Sequence, residues 1–376
     1  MTDNMEQKPR IKRESKNKIR VEFERTSLRE RLKEKYLSLY FLKRAVWYVF
    51  RLLLLIGIAF VVVQPFLTMI IRSIMAPQDY ANSTVVNVPR HVSGVIYKAI
   101  FKDLHYVKYF FTTFAVSMAC ALLQTFACSL IGYGLAKFKF RGNKWVFLAV
   151  IITLTIPHGS LQSAIYYRFQ HLDVLGIFTF LSGGAHTGIG WLDNIFSKIH
   201  VLPNEKFGTG IRTIRTLVPL FLLSATGLAF KNGLYIFMLR QFFRGVPDEL
   251  EESAYLDGAN TFRTFIQVIL PLSIPMMITV FLFAFCWQWT DDFYVELFFK
   301  GVSDAKKPAL MVFLPPALAD VPKSLTEAFA ESGKSTKYNY ALRYGCGLMA
   351  SAPLIVVFLF CQKYLVQGIE RSGIVG

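Results

Sequence analysis

Long apolar segments are the feature of this sequence that most restricts its fold. Leu52 to Ile71 contains no charged residue and, as a helix rising about 1.5 Å per residue, is long enough to cross about 30 Å of hydrocarbon. The whole chain is 53% hydrophobic, with a mean hydropathy of +0.40, which is too apolar for a soluble protein of this length. The sequence therefore predicts an integral membrane protein.

The apolar pattern predicts an all-α polytopic fold with about six transmembrane helices, because helices satisfy every backbone group inside a bilayer. Pro157 interrupts the third span, and such breaks are tolerated where a helix lines a cavity. The expected spans are Leu52–Ile71, Phe110–Leu135, Trp145–Phe169, Leu217–Phe243, Leu272–Trp289 and Leu348–Leu365.

Basic residues predict the orientation of these spans. The formal net charge is +17, but about 14 of the Lys and Arg residues precede Val46, and others flank apolar segments. Lys137 begins a basic cluster after the second span, and such clusters mark the cytoplasmic side. Both termini are expected in the cytoplasm, and a role in binding nucleic acid is not favoured.

Two divisions of the chain are expected. Residues 1–45 form a basic cytoplasmic tail, and residues 46–376 form the membrane domain. Within the tail, Leu28, Leu32 and Tyr36 recur at helical spacing, which predicts an amphipathic helix from Thr26 to Arg44 on the membrane surface; a solvated charged tail explains the pattern equally well. Residues 172–216 are expected to form an external insert, or alternatively a re-entrant segment, and residues 299–343 an external loop.

Catalytic and metal sites are not indicated. The five cysteines show no paired spacing, and the histidines and acids show no ligand-type spacing. Gly333 to Thr336 imitates the end of a phosphate-binding loop, but Ala328 stands where the first glycine is required. We therefore expect no metal, no cofactor and no ATP site in this chain. An ion-driven secondary carrier is less favoured, because the spans contain almost no acids.

A polar stretch from Val246 to Pro275 lies between two spans. Four acids begin a predicted helix that ends near Leu256, and acids at this position complement the helix dipole. Gly258 then allows a tight turn, and a second helix from Thr261 is expected to end against Pro271. The stretch predicts a polar helical hairpin suited to docking a partner, with its four acids at Asp248, Glu249, Glu251 and Glu252.

The hairpin carries a longer motif. Glu252-Ser253-Ala254 is followed by Gly258 and then by Val268-Ile269-Leu270-Pro271. The chain resembles the inner-membrane permeases of bacterial ABC importers, whose signature is Glu-Ala-Ala, a glycine four residues later and a downstream Ile-x-Leu-Pro. Leu239 to Arg244 and Gln362 to Gly368 resemble the carbohydrate branch, specifically the maltose-type second permease. The resemblance covers roughly Val46 to Gly376.

The resemblance implies a type I importer fold in which the cytoplasmic loop, residues 244–270, couples to ATPase subunits. It implies as partners a second homologous permease chain, two ABC ATPase subunits that bind ATP, an external solute-binding protein and the lipid bilayer. The implied substrate is a sugar or oligosaccharide; a polyol, a glycerophosphodiester or a peptide is the alternative. The implied coupling residues are Glu251, Glu252, Ser253, Ala254, Asp257, Gly258, Ala259, Leu270 and Pro271.

Aromatic and polar residues near the ends of spans are candidates for a sugar pathway. Sugars pack on aromatic faces that have polar groups beside them, but Trp and Tyr also form belts at membrane interfaces. Lys231 is notable because an ionisable residue within a span usually faces a cavity or partner; alternatively the span begins later and Lys231 lies at the outer surface. The candidates are Lys231, Asn232, Gln162, Tyr166, Trp287, Trp289 and Asp291.

Overall fold

The computed structural model describes most of the membrane domain and short parts of the tail. The described residues are 12–13, 19–20, 39–82, 84–85, 88–173, 213–229, 231–303, 306–315, 325 and 335–373. Most of the expected insert 172–216 and residues 26–38 of the expected amphipathic helix lie outside them.

The chain divides into two compact units, Met1–Thr68 and Met69–Gly376. In the first unit, strands β1 (Lys12–Arg13) and β2 (Ile19–Arg20) pair in antiparallel register. The first helix, α1, starts in this unit and extends from Leu39 to Ile74, so it begins earlier than the predicted first span. All other described elements belong to the second unit.

The second unit is helical in its described parts. The helices that follow α1 are α2 (Pro77–Ala81), α3 (Val95–Lys102), α4 (Tyr106–Lys137), α5 (Asn143–Thr155), α6 (His158–Gln170), α7 (Val218–Thr226), α8 (Asn232–Arg244), α9 (Glu249–Leu256), α10 (Thr261–Thr264), α11 (Leu270–Leu272), α12 (Ile274–Trp289), α13 (Phe293–Phe298) and α14 (Ser335–Gly373). A π-helix (Phe265–Ile269) joins α10 to α11, and a 3₁₀ turn (Met311–Phe313) precedes α14.

Among the described residues, three helices are long and apolar enough to cross a membrane, and the number rises to five if each of two bent pairs is one span. The three lie within α1, α4 and α14, and the pairs are α5 with α6 and the segment Thr261–Leu272 with α12. Helices α5 and α6 meet at a bend of 109°, so α6 does not continue the path of α5 as a straight third span. Each has 13 residues, about 20 Å, which is too short to cross the hydrocarbon alone.

The fourth predicted span, Leu217–Phe243, is not one helix. Gly227 ends α7 with a φ of +74°, a conformation that glycine adopts readily at a helix C-terminus. A Cβ at this position would lie 2.7 Å from Cδ1 of Ile131, so a larger residue would also have to displace the end of that side chain. Helix α8 begins only at Asn232, after Lys231 as its N-terminal cap residue.

Two further boundaries differ from the sequence expectation. The helix after the expected loop 299–343 begins at Ser335, so the end of that loop is helical. Pro271 does not end the second hairpin helix, because it lies within α11, where the first turn of a helix tolerates proline.

Helix α4 is at the centre of the second unit, in contact with α7, α8 and α12. Gly132 permits a close approach to α8: a Cβ there would lie 3.1 Å from Cβ of Leu239 and 3.2 Å from the backbone nitrogen of Arg240. Small residues allow helix backbones to approach in membranes, where packing replaces the hydrophobic effect between helices. Apolar side chains on the outside remain exposed, as lipid contact requires; examples are Leu122, Trp145, Leu359 and Phe360.

Gly345 makes a second close approach, between α14 and α3. A Cβ at this position would lie 2.7 Å from Cγ2 of Ile96 and 2.9 Å from Cδ1 of Ile100, both buried. We predict that Gly345→Ala lowers the free energy of unfolding by about 1–3 kcal/mol through overpacking. The midpoint of thermal unfolding of the purified protein in detergent measures this change.

Gly347→Ala is the matched control on the same helix, because its Cβ would meet Cε of Met69 at an ordinary 3.6 Å. In Gly347→Ala the higher helix propensity of alanine should leave the free energy of unfolding unchanged or raise it by about 0.5–1 kcal/mol. Equal midpoints for the two variants would contradict the packing argument.

Candidate functional site

The predicted polar hairpin is present between α8 and α12. Its first helix is α9, and its turn contains Gly258, which has a φ of +81° and no neighbouring atom within 4 Å of a Cβ placed there. Asn260 then caps α10, since its side chain accepts a hydrogen bond of 2.9 Å from the backbone N–H of Arg263. Both the turn and the cap follow from these residue types.

The second half of the hairpin is not a regular α-helix. The π-helix Phe265–Ile269 follows α10, and the whole segment Thr261–Leu272 meets α12 at a bend of 81°. Phe265 and Ile269 are buried, and the Phe265 ring centroid lies 4.9 Å from that of Tyr133 on α4. π-Helices are rare and frequently occur at functional sites.

Lys137 and Tyr133 of α4 contact the inner face of α9 and the residues just before it. The Lys137 ammonium group donates hydrogen bonds to the backbone oxygen of Val246 at 2.7 Å and to Oδ1 of Asp248 at 2.5 Å. It also lies 3.1 Å from Oε1 of Glu251, and Oε2 of the same carboxylate accepts a hydrogen bond of 3.1 Å from the Tyr133 hydroxyl. We call these five residues the α4–α9 clamp.

The clamp determines the positions of two of the four acids that begin the hairpin. Asp248 does not cap α9 with its side chain, because its carboxylate bonds to Lys137 instead, and this hydrogen bond holds the pKa of Asp248 below its usual value. Glu251 is 7% exposed and faces α4, so it is not part of the surface offered to a partner.

The outer face of α9 is formed by residues at helical spacing. Glu249, Glu252 and Leu256, at positions i, i+3 and i+7, are all exposed. Leu256 is 90% exposed, and Phe262 on α10 is 63% exposed. Both apolar side chains are therefore accessible on the hairpin.

The remaining predicted coupling residues are divided between these faces. Ala254 is buried, Ala259 and Leu270 are half-buried, and Ser253, Asp257, Gly258 and Pro271 are exposed.

A cavity of about 190 Å³ lies near the start of α8 and the end of α12. Lys231 and Trp287 form one side of it, with the ammonium nitrogen 4.0 Å from the indole centroid in a cation–π contact. Asp292 and Thr290 lie at its exposed edge. Its other lining residues are Gln124, His158, Ala229, Gln288, Asp291, Phe293 and Tyr294.

Hydrogen bonds orient the polar side chains of the cavity. Asp291 accepts from the Gln288 amide at 3.2 Å and from the backbone N–H of Tyr294 at 3.0 Å. The Gln124 amide donates to the Ser224 hydroxyl at 3.1 Å and to Oε1 of Gln288 at 3.4 Å. An aromatic face with amide and carboxylate groups beside it can bind a hydroxylated ring.

Of the seven predicted pathway residues, the structure brings Lys231, Trp287 and Asp291 to the cavity. Trp289 does not line it: its indole N–H donates to the backbone oxygen of Ala350 at 2.9 Å, and its ring packs among other aromatic rings. The side chain of Asn232 is fully buried and has no hydrogen-bond partner among the described residues.

Gln162 and Tyr166 also lie away from the cavity, on α6. Gln162 is exposed, and Tyr166 packs partly buried against an apolar cluster that includes Phe169. The bend between α5 and α6 explains the difference, because it turns α6 away from the direction assumed for a straight span.

The sequence analysis did not select Gln124, His158 or Gln288. Gln124 is a polar residue in the apolar helix α4, and this was a usable signal, since polar residues within spans usually face the protein interior. His158 begins α6 directly after Pro157, at the break that was expected to line a cavity. Among the described residues, no group of three His, Cys, Asp or Glu side chains could hold a metal ion.

Comparison with known proteins identifies similar chains. The family model described as "Binding-protein-dependent transport system inner membrane component" matches residues 128–371. The arabinooligosaccharides transport system permease protein AraQ of Bacillus subtilis is 23% identical over 271 residues, covering 72% of this chain and 74% of the relative. The maltodextrin transport system permease protein MalD of Streptococcus pneumoniae is 22% identical over 338 residues, covering 88% and 97%.

A solved structure shares the fold. A chain of a bacterial ABC transporter involved in the import of the acidic polysaccharide alginate matches with a TM-score of 0.56 and 17% identity. The match covers 86% of this chain and 97% of that chain.

The clamp generates a prediction about stability. Glu251→Gln removes one of the two carboxylates that contact the buried Lys137 ammonium group, so we expect the free energy of unfolding to fall by about 1–3 kcal/mol. Glu252→Gln makes the same chemical change one residue later on the exposed face and should change stability by less than about 0.5 kcal/mol. Thermal unfolding in detergent distinguishes them, and equal stabilities would show that the ion pair does not hold the helix.

Proposed function

Because the chain belongs to the family of binding-protein-dependent transport system inner membrane components, we propose that it is a permease subunit of an ATP-driven importer of sugars or oligosaccharides. The observation that carries the proposal is the hairpin of α9 and α10, on which Glu252, Leu256 and Phe262 are all exposed. Its sequence follows the signature motif of importer permeases.

We assign coupling to the outer face of the hairpin. In an importer, closure of two ATPase subunits must switch the membrane part between two states, and only contacts that differ between these states can do so. Leu256 and Phe262 provide apolar contact area, and Glu252 provides a charge that a basic group of an ATPase can pair. Gly258 sets the angle between α9 and α10, and the clamp holds α9 on α4.

The proposed assembly contains a second, homologous permease chain, two ATPase subunits that bind the ATP, and an external solute-binding protein. In this assembly the chain provides one wall of the pathway, and the partner permease provides the other. No nucleotide site of its own is proposed.

The proposed substrate class rests on the relatives' names and on the cavity. AraQ and MalD are named for oligosaccharide transport, and Trp287 with Gln288, Asp291 and Lys231 offers the combination of an aromatic face and hydrogen-bonding groups that sugars require. The proposed location is the bacterial inner or plasma membrane, with both termini and the hairpin in the cytoplasm and residues 172–216 outside.

The hairpin assignment predicts unequal roles for two exposed acids. A charged hydrogen bond is worth about 1.5–3 kcal/mol, so Glu252→Gln should weaken retention of the ATPase subunits about tenfold or more. Glu249→Gln, one turn earlier on the same face, removes only a dipole contribution of about 0.3–1 kcal/mol and should change retention little. Co-purification of the ATPase with each variant measures this, and equal losses would leave only the dipole explanation.

The pathway assignment predicts that Trp287 contributes to substrate passage. Aromatic contacts of this kind are worth about 0.5–1.5 kcal/mol, so Trp287→Ala should lower uptake about two- to tenfold at limiting substrate. The control is Trp145→Ala, because Trp145 is exposed on α5 away from the cavity. Uptake of labelled arabino-, malto- and galacto-oligosaccharides into cells expressing the complete transporter measures the effect; unchanged uptake in Trp287→Ala would contradict the assigned cavity.

A further inference from the structure

The structure connects the hairpin to the cavity through α4 rather than only through the chain segment that leads into α12. We propose that Lys137 is a positioning residue that transmits movement of α9 to the cavity along α4. This inference rests on the proposed function, in which α9 is moved by an ATPase subunit.

Two residues of α4, one helical turn apart, contact α9 and the residues just before it. Lys137, whose side chain is 8% exposed, contacts three oxygens, two before the start of α9 and one within its first turn. Tyr133, four residues earlier, donates to the second oxygen of Glu251. Both oxygens of the Glu251 carboxylate are therefore held by α4, so rotation of α9 cannot occur without displacing α4 or breaking these contacts.

Tyr133 also contacts the second half of the hairpin. Its ring centroid lies 4.9 Å from that of Phe265 in the π-helix and 5.8 Å from that of Phe243 at the end of α8. All three rings are buried. Both halves of the hairpin therefore contact the last two turns of α4.

Helix α4 is suited to carry the movement further. It is one continuous helix of 32 residues without proline, about 48 Å long. Gln124, which lies 13 residues before Lys137 and about 20 Å along the axis, lines the cavity and bonds to Ser224 and Gln288. Movement at Lys137 therefore reaches hydrogen bonds that shape the cavity through a single rigid element.

The chain segment that joins the hairpin to α12 is a less direct mechanical connection than α4. Between the hairpin and α12 the chain passes through a π-helix and an 81° bend at Ser273. A bend of this kind can open or close without moving α12 along its axis, whereas α4 contains no comparable interruption. The ion pairs of Lys137 are also shielded from solvent on the lysine side, which makes them less sensitive to salt than exposed pairs.

The test uses the complete transporter in membrane vesicles, with the partner permease, the ATPase subunits and the binding protein. A cysteine introduced at Thr290, an exposed residue of the cavity, reports on its state by its rate of reaction with a membrane-impermeant maleimide. The parent without the new cysteine gives the background of the native thiols. The probe is ATP with vanadate, which traps the ATPase subunits closed.

With the clamp intact, trapping should change the labelling rate at least about fivefold. In Lys137→Gln the ATPase subunits should still be retained and hydrolyse ATP, but the labelling rate should no longer respond. Lys137→Arg keeps the charge and should restore the response. Lys144→Gln is the matched control, because it removes the same charge seven residues later, from an exposed side chain that forms no ion pair among the described residues.

A double variant tests whether the pair acts as a unit. Lys137→Gln combined with Glu251→Gln should give no further loss of response beyond Lys137→Gln alone, because the two residues share one interaction. A purely structural role of Lys137 would instead lower stability and leave the response to trapping unchanged in the complexes that assemble.

The outcomes distinguish a failure of transmission through the clamp from a failure of the proposed function. If Lys137→Gln responds as strongly as Lys144→Gln, the clamp does not transmit movement and the inference is overturned. If Lys137→Gln fails to retain the ATPase subunits, Tyr133→Phe decides instead: a reduced response supports transmission through the clamp, and a full response overturns it. If even the complex with an unaltered clamp neither holds ATPase subunits nor responds, the proposed function itself is wrong.

Discussion

Close packing of one helix organises the second unit of this protein. α4 touches α7, α8 and α12, and at Gly132 its backbone approaches α8 so closely that a single methyl group would meet Cβ of Leu239 and the backbone of Arg240. Dispersion contacts and small residues, rather than the hydrophobic effect, hold helices together inside a bilayer. The hairpin and the cavity are both attached to α4, at its C-terminal end and near its middle.

The sequence predicted the elements whose causes are local. Apolar length identified α4, and the first-turn acids with Gly258 identified the α9 hairpin and its turn, because dipole complementarity and a positive φ depend on a few neighbouring residues. The signature motif identified the family, which the match over residues 128–371 confirms. The assigned coupling and pathway roles remain predictions.

The sequence analysis failed where three-dimensional packing decides. Gly227 ends a helix inside what was predicted as one span, and the apolar residues on either side of it show no periodicity that marks such a break. Glu251 and Glu252 are adjacent and chemically identical, yet one is buried against Lys137 and the other is exposed. Lys137 itself was interpreted only as an orientation signal, since its contacts lie more than a hundred positions away along the chain.

The π-helix has a consequence for how this segment can vary. A π-helix contains one more residue per hydrogen-bonded turn than an α-helix, so Phe265–Ile269 accommodates one additional residue without rotating the helix that follows. Deleting one residue between Thr264 and Leu270 would convert this turn to α-geometry and keep Pro271 close to its present direction, whereas deleting a residue from a regular α-helical turn rotates everything after it by about 100°. The distance between the glycine turn and the Leu-Pro pair is therefore a matter of angular register as well as of length, and this interval should accept a single deletion more readily than the regular helices on either side of it.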